Sequence, residues 1–133
     1  MILGREIYAM LDTGATLSVI SLETINFLKM HDQIETTHEI LKGPSGEKLS
    51  AVGKIKISFK IKNFRNFIFT VSFIVVKNLQ FHILLGIEFV RNNNLDLSFK
   101  ENILKFKNVS SPLYFLSQTP NLKENLTLSI TKS

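Results

Sequence analysis

The chain has no cysteine in its 133 residues, which excludes disulfide cross-links and thiolate chemistry and leaves a fold compatible with a reducing compartment. No apolar run approaches the roughly 20 residues that a membrane-spanning helix requires. No basic stretch followed by an apolar one opens the sequence, so a secretory signal is not expected. His31, His38 and His82 lack metal-ligand spacing and read as incidental, so neither a metal nor another cofactor is expected. No lysine-serine pair follows Gly43-Pro44-Ser45-Gly46, so this turn is not a phosphate-binding loop. No period typical of solenoids or propellers recurs.

What is present suits one domain with a sizeable core: 44% of the residues are hydrophobic. The net charge is +5, and much of it lies in one segment, where Lys54, Lys56, Lys60 and Lys62 alternate with Ile55, Ile57, Phe59 and Ile61. Period two makes one strand face apolar and the other cationic. The lysines read as a solvated face that discourages edge-to-edge pairing. Without aromatic residues among them, only weak or nonspecific attraction to nucleic acid is expected.

Patterning along the chain is mostly that of strands. Strands are expected at 6–11 and 17–20, then a helix over 22–30 with Ser21 as its N-cap and Leu22, Ile25 and Leu28 on one face. Two strands are expected within 40–61, around the Gly43–Gly46 turn. A β-branched and aromatic run at 67–76 reads as a buried strand. A strand at 83–85, a helix at 87–92 ended by Asn92-Asn93-Asn94, and a hairpin of 95–99 with 103–107 follow.

The densest chemistry lies in Met10-Leu11-Asp12-Thr13-Gly14-Ala15-Thr16-Leu17-Ser18-Val19-Ile20. An apolar strand ends on one carboxylate, turns tightly at a glycine, and resumes as an apolar run. Such a frame holds a carboxylate rigidly, the glycine permitting a close turn and the threonine hydroxyl able to bond the backbone. A second element, Phe81-His82-Ile83-Leu84-Leu85-Gly86-Ile87-Glu88-Phe89, is an apolar strand entering a short helix through a glycine.

Together and in this order, Asp-Thr-Gly-Ala-x-x-Ser-x-Ile and Ile-Leu-Leu-Gly-x-Glu-Phe resemble the two signatures of retropepsins, the retroviral and retrotransposon aspartic proteases. The resemblance implies an all-β, closed-barrel-like fold with one or two short helices over 1–108, leaving 109–133 as a tail that is a dimer strand or a linker. It implies peptide hydrolysis by paired aspartates, one ionised and activating water, the other protonated and donating to the scissile carbonyl. Only one Asp-Thr-Gly is present, so the second aspartate would be Asp12 of another copy, in a homodimer. Asp12, Thr13 and Gly14 are then the catalytic turn, with Thr13 as the clamp between copies. The segment 41–53 takes the place of the flap that closes over substrate. The cleft would use Ala15, Gly43, Gly46, Val52, Leu84 and Gly86. Alanine at 15 has no hydroxyl to favour the ionised carboxylates, so an optimum less acidic than that of digestive relatives is expected, well above about pH 3.

The expected substrates are junctions of a retrotransposon- or retrovirus-like polyprotein, processed in the cytoplasm or within a virus-like particle, with no membrane involved. One departure stands out: only 11 residues precede Asp12, which is short for the family's N-terminal dimer strand. Two other readings follow, a domesticated module that binds proteins without cleaving them and a basic module that packages RNA.

Overall fold

The computed structural model describes residues 2–12, 14–36, 41–42, 48–62, 64, 67–98, 100–101, 103–107, 109–112, 114–115 and 123–131. In chain order its elements are β1 (Ile2–Asp12), β2 (Val19–Ser21), α1 (Leu22–Phe27), β3 (Glu35–Thr36), β4 (Leu41–Lys42), β5 (Lys48–Leu49), β6 (Ala51–Ile61), β7 (Phe69–Val76), β8 (Ile83–Leu85), α2 (Ile87–Asn92), β9 (Asp96–Ser98), β10 (Ile103–Phe106), β11 (Val109–Pro112), β12 (Tyr114–Phe115) and β13 (Lys123–Thr131). A single 3-10 turn at His31–Gln33 follows α1.

Alternation along the strands builds the core. Ile7, Ala9 and Leu11 of β1 face inward, as do Ile55, Ile57, Phe59 and Ile61 of β6, all buried. Six strands close into a barrel in the order β1, β8, β2, β7, β6 and β13, with β13 returning to β1. The expected all-β barrel with two short helices is therefore what the described residues form. A hairpin, β4–β5, and a small sheet, β11-β10-β9, stand apart from it.

Aromatic packing fixes α2 against this barrel. The Phe89 ring lies 5.8 Å from Phe59 and 5.6 Å from Phe69, within the 4.5–7 Å range of favourable ring pairs. Phe106 of β10 meets Phe69 at 5.4 Å, which ties the small sheet to the same cluster.

Several boundaries differ from the sequence expectation. β1 begins at Ile2 rather than residue 6, because its backbone pairs with β13 from Ile2↔Thr131 to Asp12↔Lys123. The lysine-bearing strand is not a free edge: β6 pairs with β7 along most of its length, and with β3 and β13 on its other side. Its lysines serve a solvated face, and edge protection is confined to the short stretch between those two partners. The region 40–61 divides into the β4–β5 hairpin and the long β6, separated at Ser50. Residues 109–133, read as a dimer strand or linker, include β13, which pairs with β1 and β6 of the same chain.

Helix α1 starts as expected, the Ser21 hydroxyl oxygen accepting from the Thr24 N–H at 3.0 Å. It ends at Phe27 instead of residue 30. The Met30 N–H reaches the Ile25 carbonyl and the Lys29 N–H the Asn26 carbonyl, both at 3.1 Å, with Lys29 at φ 58°. This paired closure stops a helix through a left-handed residue and still buries the next side chain, here Met30. Helix α2 ends the same way, with Asn94 at φ 53° and the Leu95 N–H on the Val90 carbonyl at 3.0 Å. Asparagine tolerates that conformation better than lysine. Lys29→Gly should accordingly raise stability by about 1 kcal/mol, read as a higher denaturation midpoint with unchanged slope.

Candidate active site

Strand β8 organises the site. It runs parallel to β1, with Met10↔Leu84 and Leu11↔Leu85 in register, and antiparallel to β2, with Val19↔Leu84. The segment between β1 and β2 therefore leaves one neighbour of β8 and returns on its other side. Asp12 is the last residue of β1 and is half-buried.

The turn after Asp12 is closed on the acid itself. The Gly14 N–H donates to Asp12 Oδ1 at 2.9 Å, and the Ala15 N–H to the Asp12 carbonyl at 3.1 Å. One carboxylate oxygen is thus oriented by backbone. Thr13 lies outside the described residues.

The loop is held from behind by the start of α2. The Ile87 N–H donates to the Ala15 carbonyl at 2.7 Å and the Glu88 N–H to the Thr16 carbonyl at 3.4 Å. First-turn N–H groups of a helix have no partner within it, so the loop carbonyls satisfy them. Glu88 contributes its backbone here, and its side chain is exposed. Gly86 fits because it has no side chain: a Cβ there would sit 2.6 Å from the Thr16 carbonyl oxygen and 2.7 Å from that of Leu17.

Ser18 completes the clamp, and its role was not apparent from the sequence. Its buried hydroxyl oxygen accepts from the Gly86 N–H at 3.0 Å, and its carbonyl accepts from the Ile74 N–H at 3.0 Å. The available signal was a hydroxyl set between Leu17 and Val19-Ile20, since a hydroxyl buried among apolar residues needs a partner. Ser18→Ala leaves the Gly86 N–H unsatisfied and should destabilise the fold by about 1–3 kcal/mol, measured by chemical denaturation.

The structure joins Asp12, Gly14, Ala15 and Gly86 through this network. Leu84 shares their neighbourhood: Ile83 and Leu85 are buried in the core, so alternation puts Leu84 on the opposite face, which Met10 and Asp12 also occupy. Val52 lies on β6, which is not a sheet neighbour of β1, and packs half-buried against the core. Gly43 and Gly46 lie outside the described residues, but the hairpin that leads to them is present, with Leu41↔Leu49 and Lys42↔Lys48 in register. Among the described residues, no helix is long and apolar enough to cross a membrane.

Comparison with known proteins agrees with this geometry. A family model described as aspartyl protease matches residues 1–89, which span the acid turn, the hairpin, β8 and the first residues of α2. No curated protein sequence shows significant similarity to the chain. Among solved structures, the chain is similar to the retroviral protease-like domain of Ddi1 from Leishmania major, with a TM-score of 0.66 and 18% identity over 90% of this chain and 93% of that one. At that identity the likeness is one of fold, and the fold is retropepsin-like.

Proposed function

Because the chain belongs to the aspartyl protease family, we propose that it is an endopeptidase of retropepsin type, active as a homodimer in which each copy supplies one Asp12. The observation that carries this reading is the Asp12 turn, with one carboxylate oxygen held by the Gly14 N–H; in the proposed dimer the other meets water or the second carboxylate. Two such acids close together share a proton, because ionising both is unfavourable, and that shared proton is what hydrolysis requires. The chain's only Asp-Thr-Gly supports pairing between copies.

In this reading Asp12 acts as acid and base, with Thr13 and Gly14 shaping its turn. Ala15, Leu84, Val52 and the flap glycines Gly43 and Gly46 line an extended cleft, while Gly86, expected in that cleft, is buried behind the Asp12 loop and backs it. The substrate is a polypeptide, most simply the junctions of a retrotransposon- or retrovirus-like polyprotein, cut in the cytoplasm or inside a particle. The test is cleavage of a peptide library between about pH 4 and pH 7, by material whose mass is fixed by sedimentation. Cleavage by the dimer alone supports the proposal. A strict monomer at about tens of micromolar has no second aspartate and would favour a non-cleaving binding module.

A further inference from the structure

A second feature lies on the outer surface between β1 and α1. Tyr8 and Phe27 are the exposed aromatic residues there, at 69% and 57% exposure, and they border an open cavity of about 340 Å³ lined also by Glu6, Glu23, Thr24 and His82. The two walls have the same makeup. On β1, Glu6 and Tyr8 are two residues apart and so share the outward face. On α1, Glu23 and Phe27 are four residues apart and so stack one turn above the other. Each wall thus presents one carboxylate and one aromatic ring. Thr24 is buried beneath them, its hydroxyl 2.6 Å from the Ser21 hydroxyl and 3.3 Å from His82 Nδ1, so the His82 ring is tethered to the base of α1.

The charge of this cavity is opposite to that of the chain. Among the described residues, its lining holds two carboxylates and no lysine or arginine, while the protein as a whole carries +5. A cation between aromatic faces and carboxylates is stabilised by both, and guanidinium is the group best suited to stacking and charge-assisted hydrogen bonding together. β13 pairs with β1 along Glu6–Tyr8, whereas β8 joins its other side only from Ala9 to Leu11, so the cavity lies just before β8 begins, with Ile7 also in its lining. The side chains that line the cavity supply the charge and the rings that select its occupant.

We infer that this cavity is a docking site for a basic peptide segment, seating an arginine side chain between Tyr8 and Phe27 with Glu6 and Glu23 as its counter-charges. The site is separate from the reacting acid: Tyr8 stands four residues before Asp12, about 13 Å along the strand. Partners with an arginine in an apolar frame are favoured, and nucleic acids are repelled by the two carboxylates.

The experiment is fluorescence anisotropy with a fluorescein-labelled peptide of alternating arginine and leucine, using the Asp12→Asn chain so that the peptide is not consumed. The same peptide with citrulline for arginine keeps shape and removes charge, and it should bind at least about tenfold more weakly. Glu6→Gln combined with Glu23→Gln should weaken the arginine peptide by at least about tenfold, and Tyr8→Leu by several-fold, with denaturation midpoints unchanged. Backbone amide resonances of residues 6, 8, 23, 27 and 82 should shift on titration. Equal binding of the citrulline peptide, full affinity in the Glu6/Glu23 double variant, shifts confined to the Asp12 loop, or saturable binding of a single-stranded oligonucleotide at these residues would overturn the assignment.

Discussion

Asp12→Asn should lower the proposed peptide cleavage by about a thousand-fold, within the range that loss of a positioned general acid–base group produces. Asparagine has nearly the shape of aspartate, and its side-chain oxygen can still accept from the Gly14 N–H, so the turn survives. What is lost is ionisation. The carboxamide takes no proton from water, and a dimer of the variant has neither acid. Circular dichroism and the denaturation midpoint should match wild type, which separates a chemical defect from a structural one. A mixing experiment tests the symmetry. If subunits exchange freely in an equimolar mixture, about a quarter of the dimers carry two wild-type copies. Activity should fall to about that fraction when one acid per dimer is insufficient. Activity of one half would mean that each copy works alone.

Gly86→Ala should destabilise the protein by about 3 kcal/mol, with a fall of roughly 10 °C in Tm for a chain of this size. The new methyl group meets the carbonyl oxygens of Thr16 and Leu17. These are backbone atoms of the loop that carries the acid and cannot rotate away as a side chain would. Relief requires α2 to retreat from the loop, which lengthens the Ile87 to Ala15 and Gly86 to Ser18 hydrogen bonds. Cleavage should drop more than the stability loss explains at temperatures where the variant remains folded, because the Asp12 turn loses its backing. Gly14→Ala is the contrast: its Cβ would lie 3.3 Å from Asp12 Oδ1, a closeness that a small side-chain adjustment relieves. The Tm shift should therefore be much smaller at Gly14 than at Gly86.

Which features were legible in the sequence depended on whether their causes are local. β8 and α2 fell where the sequence placed them, because a short apolar run, a glycine and three asparagines mark both ends of that unit. The Ser21 cap was readable for the same reason. The end of α1 was not: Leu28 and Met30 continue the apolar spacing, yet the chain turns through Lys29 in a conformation lysine rarely adopts. β13 was legible only in part: Leu126, Leu128 and Ile130 alternate with Thr127 and Ser129, so 126–130 reads as a strand or linker, but the polar Lys123-Glu124-Asn125 hides its start and its pairing is imposed by β1 and β6. At the site, the acid turn and Gly86 were visible as motifs. Their connection, Ser18 and the Ala15 and Thr16 carbonyls meeting α2, depends on residues about 70 positions apart and emerges only once β8 lies between β1 and β2.

The closure of the barrel by β13 has a consequence in time. β1 is made before both of its partners, β8 and β13, the latter emerging roughly a hundred residues later. At a synthesis rate of about 5–20 residues per second, that interval is roughly 5–20 seconds. Throughout it, Asp12 is present in the growing chain on a strand that lacks its β13 partner. The order of translation thus leaves one side of the acid's strand without its partner until the strand that seals the barrel has left the ribosome.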